Sequence, residues 1–216
     1  MRGSEMSDIP DTTSDSPPNY PSPGDGLNPV NYPNELVSEF VTLSGVSLRL
    51  RPIRVDDAER LVAFHSRLSP DSIYLRYFSF HPRLTQEEVS HLTQVDYVDR
   101  LALVVEDGND IVAIGRYDRV PSTTTGEVAF VVRDNFQHLG LGHLLLGELA
   151  KAAWNRGLTE FYAVTYLGNR WMIAVFMHSG FPVTTSHEGE ELMVSFPIDP
   201  TCRSLSVPLQ DPRGAS

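Results

Sequence analysis

The chain has 216 residues, with 28 Asp and Glu against 17 Lys and Arg, a formal net charge of −11 at pH 7. That balance argues against a binder of the nucleic-acid backbone and against docking on anionic membranes, both of which need a basic face. A lone cysteine, Cys202, excludes an internal disulfide and fits a reducing cytoplasm; no apolar run is long enough to span a bilayer, and the N-terminus lacks the pattern of a secretory signal.

Residues 1–34 are rich in Pro, Asp, Ser and Asn and nearly free of aliphatic side chains. Such a segment cannot bury enough surface to offset its ordering entropy, so a disordered acidic tail is expected. Residues 204–216 have a similar make-up, which leaves 35–203 as the folded domain. Val46-Ser-Leu-Arg-Leu-Arg alternates apolar and polar as a half-buried strand does, and Pro52 closes it. Asp56 is expected to cap a helix whose apolar stripe is Ala58, Leu61, Val62 and Phe64. Ser69-Pro70-Asp71 caps a second helix through Ile73, Tyr74 and Tyr77, and Thr85-Gln-Glu-Glu88 has capping-box spacing for a third, to about Leu92. Residues 100–106 and 111–118 are predicted strands, and Asp107-Gly-Asn-Asp110 between them signals a hairpin. Residues 127–133 form the next strand. A helix over 139–156 carries Leu141, Leu144, Leu145, Leu149 and Ala152 on one face and stops at Gly157. A strand over 161–166, a helix over 169–179 ended by Gly180, and a strand over 191–198 complete a mixed α/β, α+β-type pattern with several antiparallel pairs.

The segment from Glu127 to Leu146 carries the most chemistry. An apolar, β-branched run stops at Arg133-Asp134-Asn135, Gln137-x-x-Gly140-x-Gly142 follows, and a helix begins. Glycines let the backbone approach a phosphate, and the free N–H groups of a first helical turn point at it. Glu127 stands at the other end of the strand, so an acid and an anion cradle share one element. That pairing points to chemistry on a phosphate-bearing cofactor.

With these residues the chain resembles the GNAT acyl-CoA N-acyltransferase superfamily. Gln137-x-x-Gly140-x-Gly142 is similar to the family's pyrophosphate loop, and Asn169-x-x-Met172-x-x-Val175-Phe176-x-x-x-Gly180-Phe181 to its cofactor-flanking helix. Leu50-Arg-Pro-Ile-Arg-x-Asp56, Phe64-His65, Leu68-Ser-Pro-Asp-Ser-Ile-Tyr-Leu-Arg-Tyr-Phe78, Val95-Asp96-Tyr97 and Glu127-Val-Ala-Phe-Val-Val resemble bacterial Pat-type protein lysine acetyltransferases. The likeness implies a central, mostly antiparallel mixed sheet, splayed between its central strands, with helices on both faces. It implies acetyl-CoA as co-substrate, with Phe130, Val131 and Val132 along the pantetheine arm. Backbone N–H groups of Gln137, His138, Leu139, Gly140, Leu141, Gly142 and His143 would meet the pyrophosphate. Asn169 would contact the cofactor, or serve only as a helix N-cap. Many relatives carry a further regulatory domain; here the tail stands in its place, and gating by a fused domain is not expected.

A lysine amine must lose a proton before attacking a thioester, at a cost of about 4.6 kcal/mol at pH 7 from its ordinary pKa. Glu127 is the expected general base, against the plainer reading of a solvent-facing strand-end glutamate. His65 is either a catalytic-site residue near the amine, as the Pat likeness implies, or a structural histidine. Tyr74, Arg76, Tyr77 and Phe78 are candidates for the acceptor groove. Many relatives have a tyrosine where this chain has Phe176, so water or Tyr166 would have to protonate the leaving thiolate. No His, Asp or Glu spacing suits a metal, and none is expected to be required. The expectation is a cytoplasmic acetyl-CoA-dependent N-acetyltransferase acting on protein lysines, with acyl- or acetyl-CoA synthetases as partners by resemblance. The rivals are a small-molecule amine N-acetyltransferase and a non-catalytic acyl-CoA-binding module. Nothing in the sequence bears on oligomeric state.

Overall fold

The computed structural model describes residues 31–202. Its strands are β1 (Ser38–Val41), β2 (Ser47–Pro52), β3 (Arg100–Asp107), β4 (Asp110–Arg119), β5 (Thr125–Val132), β6 (Glu160–Tyr166), β7 (Thr184–Glu188) and β8 (Glu191–Pro197). They form one eight-stranded sheet in the order β1-β2-β3-β4-β5-β6-β8-β7. Neighbours pair antiparallel, except β5 with β6, which run parallel. The helices are α1 (Ala58–Ser66), α2 (Pro70–Tyr77), α3 (Gln86–Thr93), α4 (Leu141–Trp154) and α5 (Arg170–Met177).

Strand β3 explains why both faces are covered. Its apolar run puts Leu101, Leu103 and Val105 into a core shared with Leu145 and Leu149 of α4. Ala102 and Val104, on the opposite face, join Leu61 and Phe64 of α1. A strand buried on both sides has no polar alternation to show, which is how residues 100–106 read in the sequence. Helices therefore lie on both faces of an open mixed sheet, the architecture that the resemblance implies.

Ser69 accepts a hydrogen bond from the Ser72 N–H, and the Thr85–Glu88 capping box forms, as their spacing predicts. The two-residue turn Gly108-Asn109 joins β3 to β4. Two strands were not foreseen. In β1 no residue is fully buried, and β7 is exposed along its whole length, so neither shows an apolar period. Helix α4 starts at Leu141, not 139, because Gly140 at φ 82° turns the chain into it, and it ends at Trp154. The predicted tails lie outside the described residues except for 31–34, where Tyr32 is packed edge-on against Tyr97 and donates to the Pro52 carbonyl at 2.9 Å.

The position before α1 falls to Asp57 in place of the expected Asp56, and the Asp57 side chain makes no cap bond to α1. Residues 55–57 form a short 3-10 turn before α1, and Asp57 Oδ2 accepts the Arg54 N–H at 2.8 Å. The reason is tertiary. Arg51 of β2 grips Asp57 with two bonds, Nη1–Oδ2 at 2.7 Å and Nη2–Oδ1 at 2.6 Å, and reaches Glu106 of β3 at 2.6 Å. Arg60 of α1 bonds the same two carboxylates at 2.8 and 2.6 Å. Two buried acids and two arginines thus fasten α1 to the sheet.

Burial alone would lower the Arg51 guanidinium, but its bonds to Asp57 and Glu106 outweigh that and raise it. Burial would raise both carboxyls, yet Arg51 first, then Arg54 and Arg60 at Asp57 and Arg60 at Glu106, holds them below their ordinary values. The unfolded chain therefore takes up protons first as pH falls, and this contribution to stability is lost on acidification below about pH 4. Asp57→Ala leaves a buried charge half-paired and should cost about 3–5 kcal/mol, read from urea unfolding at neutral pH; the gap between variant and wild type should shrink toward low pH.

Candidate functional site

The single parallel pair is short. Thr125, Gly126 and Glu127 of β5 face Glu160, Phe161 and Tyr162 of β6, and beyond them the strands diverge. Val128–Val132 remain paired to β4, and Ala163–Tyr166 to β8, but not to each other. The facing backbone groups of this wedge are edge groups inside a sheet. They suit an extended ligand with amides of its own. Beneath the wedge, the Phe130 ring lies 5.5 Å from Phe176, which in turn lies 5.9 Å from Phe196. Phe176 is 1% exposed, packed inside this aromatic layer.

The loop from β5 to α4 is pinned from outside. Asp134 accepts from the Ser69 N–H at 2.9 Å, the Ser69 hydroxyl at 2.6 Å and the Ser72 hydroxyl at 2.8 Å. Burial would raise the Asp134 carboxyl, but these bonds hold it below its ordinary value. The Gln137 amide donates to Ser72 Oγ at 3.1 Å and to the Val132 carbonyl at 3.2 Å. Gln137 thus acts through its side chain as a brace. His138, at φ 64°, and Gly140, at φ 82°, bend the backbone into the first turn of α4. A Cβ on Gly142 would sit 3.0 Å from Val175 Cγ2, so the missing side chain lets α5 cross close to the start of α4. Leu141 is buried in the core, while His143 faces outward. Asn169 is buried and its Oδ1 accepts the Met172 N–H at 3.1 Å, so its side chain caps α5.

The face under α1, α2 and α3 carries the ionisable groups. Glu127 pairs across the sheet with Asp118 of β4 and lies beside Tyr162, whose hydroxyl is 3.4 Å from Glu127 Oε2. Two carboxylates directly opposite would repel. Arg116, ion-paired to Asp118, offsets the charge, and His91 touches both, at 3.2 Å from Arg116 and 3.4 Å from Asp118. Burial, then the Glu127 charge and its hydrogen bond, raise the Tyr162 phenol above its usual value. Arg76 of α2 is pushed down by burial and then by Arg116, while Tyr77, Glu127 and Asp118 hold it up.

A cavity of about 290 Å³ opens between these helices and the sheet, lined by His65, Tyr77, Glu88, Ile114, Ala129 and Val131 among others. His65 is 3% exposed and its Nε2 is buried without a hydrogen-bond partner among the described residues. Its ring meets Tyr77 and His81 edge-on, each at 5.7 Å. Burial, then His81, lowers the imidazole pKa, and Glu88 opposes them in part.

Glu127 and His65 are therefore on the same face but not in contact: His65 lines the cavity, and Glu127 stands one pleat beyond Ala129. Phe130, Val131 and Val132 lie along the wedge, with Phe130 buried on the α5 side and Val131 facing the cavity. Tyr166 is edge-on to Tyr74 at 6.1 Å, and the Glu190 carboxylate raises its phenol. Tyr162, Arg116 and Asp118 were missed in the sequence. Only the strand register gathers them around Glu127. Among the described residues no group of three or more His, Cys, Asp or Glu is placed to hold a metal, and no helix is long and apolar enough to cross a membrane.

The model of the Acetyltransferase (GNAT) family matches residues 69–181, from the first cap of α2 through the wedge to Phe181. The chain belongs to the GNAT acetyltransferase family. A solved structure, the GNAT domain of S. lividans PAT, is 37% identical with a TM-score of 0.73, covering 77% of this chain and 99% of that one. Acetyltransferase PA5475 of Pseudomonas aeruginosa is 31% identical over 141 residues, 63% of this chain and 76% of its own. Acetyltransferase Pat of Mycolicibacterium smegmatis is 30% identical over 152 residues, 66% of this chain but 45% of its own, so the match spans under half of that protein. The likeness to Pat proteins thus holds, and membership makes this GNAT protein an acyl-CoA-dependent N-acetyltransferase.

Two outcomes follow from the geometry. Gly140→Ala forces an alanine into the left-handed region and should destabilise the fold by about 1–2 kcal/mol, measured by thermal or urea unfolding. The buried His65 resists protonation while the unfolded chain accepts it near pH 6.5, so stability should fall as pH drops through about that value. Urea midpoints taken between about pH 5 and pH 8 should slope less for His65→Asn than for wild type.

Proposed function

We propose that this chain transfers the acetyl group of acetyl-CoA directly to lysine side chains of proteins, with Glu127 as general base. The observation that carries the reading is the position of Glu127. It faces the acceptor side at the last pair before β5 leaves β6, with Tyr162 at 3.4 Å. The thioester would lie in the wedge along Phe130–Val132. The pyrophosphate would meet the backbone of Gln137–His143, held to α2 by Asp134 and Gln137. The lysine would enter through the cavity, where apolar walls suit its butyl chain and Glu87 and Glu88 suit its charge. Glu127 takes the ammonium proton, directly or through a water. The freed amine attacks the thioester carbonyl, the C–S bond breaks, the thiolate leaves, and the nitrogen gives up its second proton to solvent to become the amide. An ordinary thiol pKa of about 8.5 makes that thiolate a fair leaving group, so solvent can protonate it where Phe176 cannot.

His65 belongs to the acceptor pocket in this reading: a neutral ring lining the cavity wall, with a buried Nε2 that no side chain engages among the described residues. Acyl- or acetyl-CoA synthetases are the acceptors suggested by the Pat likeness, in a cytoplasmic setting consistent with a lone cysteine.

Glu127→Gln should lower turnover by about 10²–10⁴-fold while acetyl-CoA binding stays near wild type, and the turnover should recover in part at high pH, where free amine is abundant. Calorimetry for binding and thiol release for turnover separate the two. Unchanged turnover rejects Glu127 as the base. Labelled acetyl-CoA with a host lysate, resolved by mass spectrometry, should mark protein lysines; label confined to small amines rejects the protein acceptor.

A further inference from the structure

The first turn of α5 carries two exposed side chains, Arg170 and Trp171. Trp171 is 65% exposed, although a side chain of this size is seldom left so open without a task. Arg170 beside it is exposed, and its guanidinium has no hydrogen bond or ion pair among the described residues. The helix fixes where they stand. Trp171 and Val175 are four residues apart and share one face of α5. Val175 packs over Gly142 in the first turn of α4, and Trp171 reaches His138 in the loop before it, with ring centroids 4.2 Å apart. His138 is a non-glycine residue held at φ 64°, and it is itself exposed, so the turn presents its imidazole outward beside the indole. An exposed aromatic pair and an unpaired guanidinium thus border an anion cradle.

We propose that Trp171, His138 and Arg170 form the subsite for the nucleotide end of the acyl donor. This inference rests on the acyl-CoA reading above. In CoA the diphosphate that the cradle would hold is joined directly to the ribose of adenosine, so the purine must come to rest beside the cradle. The indole gives that purine a stacking surface, with His138 supporting the indole from behind, and the Arg170 guanidinium takes the ribose 3′-phosphate. The pantetheine half is gripped by backbone. The nucleotide half is gripped by side chains, and it sets how well the protein separates a full CoA thioester from a shorter pantetheine thioester.

The test is a set of binding measurements by calorimetry with three donors: acetyl-CoA, its 3′-dephospho form and acetyl-4′-phosphopantetheine. Trp171→Ala should weaken acetyl-CoA by about tenfold, the range expected for one base on one aromatic, and leave acetyl-4′-phosphopantetheine unchanged. Arg170→Gln should weaken acetyl-CoA several-fold and leave the dephospho donor unchanged. An equal loss for the truncated donor in Trp171→Ala means that the indole only supports the loop, which overturns the proposal. No loss with acetyl-CoA also overturns it. Failure of the wild-type protein to bind acetyl-CoA would remove the acyl-CoA reading itself, and this inference with it; binding of acetyl-CoA that Trp171→Ala does not alter removes this inference alone.

Discussion

The site depends on a sheet that starts to close and does not. Strands β5 and β6 are joined in parallel at three residue pairs, then separate. A longer ladder would satisfy all their backbone groups with each other and leave nothing for a ligand. A shorter one would leave the acid at position 127 unplaced. Parallel order also fixes what lies at the open end, since the α4 connection must begin where β5 stops, and α5 where β6 stops. Both helix starts therefore point at the opening. The phenylalanine layer of Phe130, Phe176 and Phe196 fills the space below it and keeps it from collapsing.

On the other face of the sheet, the helices that wall the cavity need a rigid seat. The Arg51–Asp57–Glu106–Arg60 cluster provides one for α1. Buried ion pairs add little net stability over an apolar packing, but a mispaired arrangement is costly, so such a cluster fixes orientation more than it adds strength. It holds α1 in the one register that turns Leu61, Phe64 and His65 toward the sheet.

Much of this was legible along the chain, and the rest was not, for physical reasons. The glycine loop shows in sequence because its turn needs Gly140 at positive φ and the close crossing of α5 needs Gly142 without a side chain. Strands β5 and β8 show because their burial alternates, and β3 because it is an unbroken apolar run. Strands β1 and β7 are polar edge segments that owe their state to one neighbour each, and nothing in their own residues requires it. Asp56 and Asp57 look alike in the sequence, and only the fold shows that Arg51 binds Asp57. Tyr162 is 35 residues from Glu127 and reaches it only through parallel register. Asn169 was read with two roles, and its side chain shows the plainer one, capping α5.

The Asp134 clamp has a further consequence. It ties the loop that ends β5 to Ser69 and Ser72, the first turn of α2, and Gln137 repeats the tie through Ser72. Arg76 and Tyr77 at the far end of that same helix line the cavity. The two halves of the site are thus coupled through one short rod. Under the proposed function, a ligand that stilled the loop would also still α2, and part of the ordering cost for the second ligand would be met when the first one binds. Such coupling runs equally in both directions. Synergy between the two proposed substrates would need no hinge or moving domain; one aspartate carboxylate and two serine hydroxyls form the link.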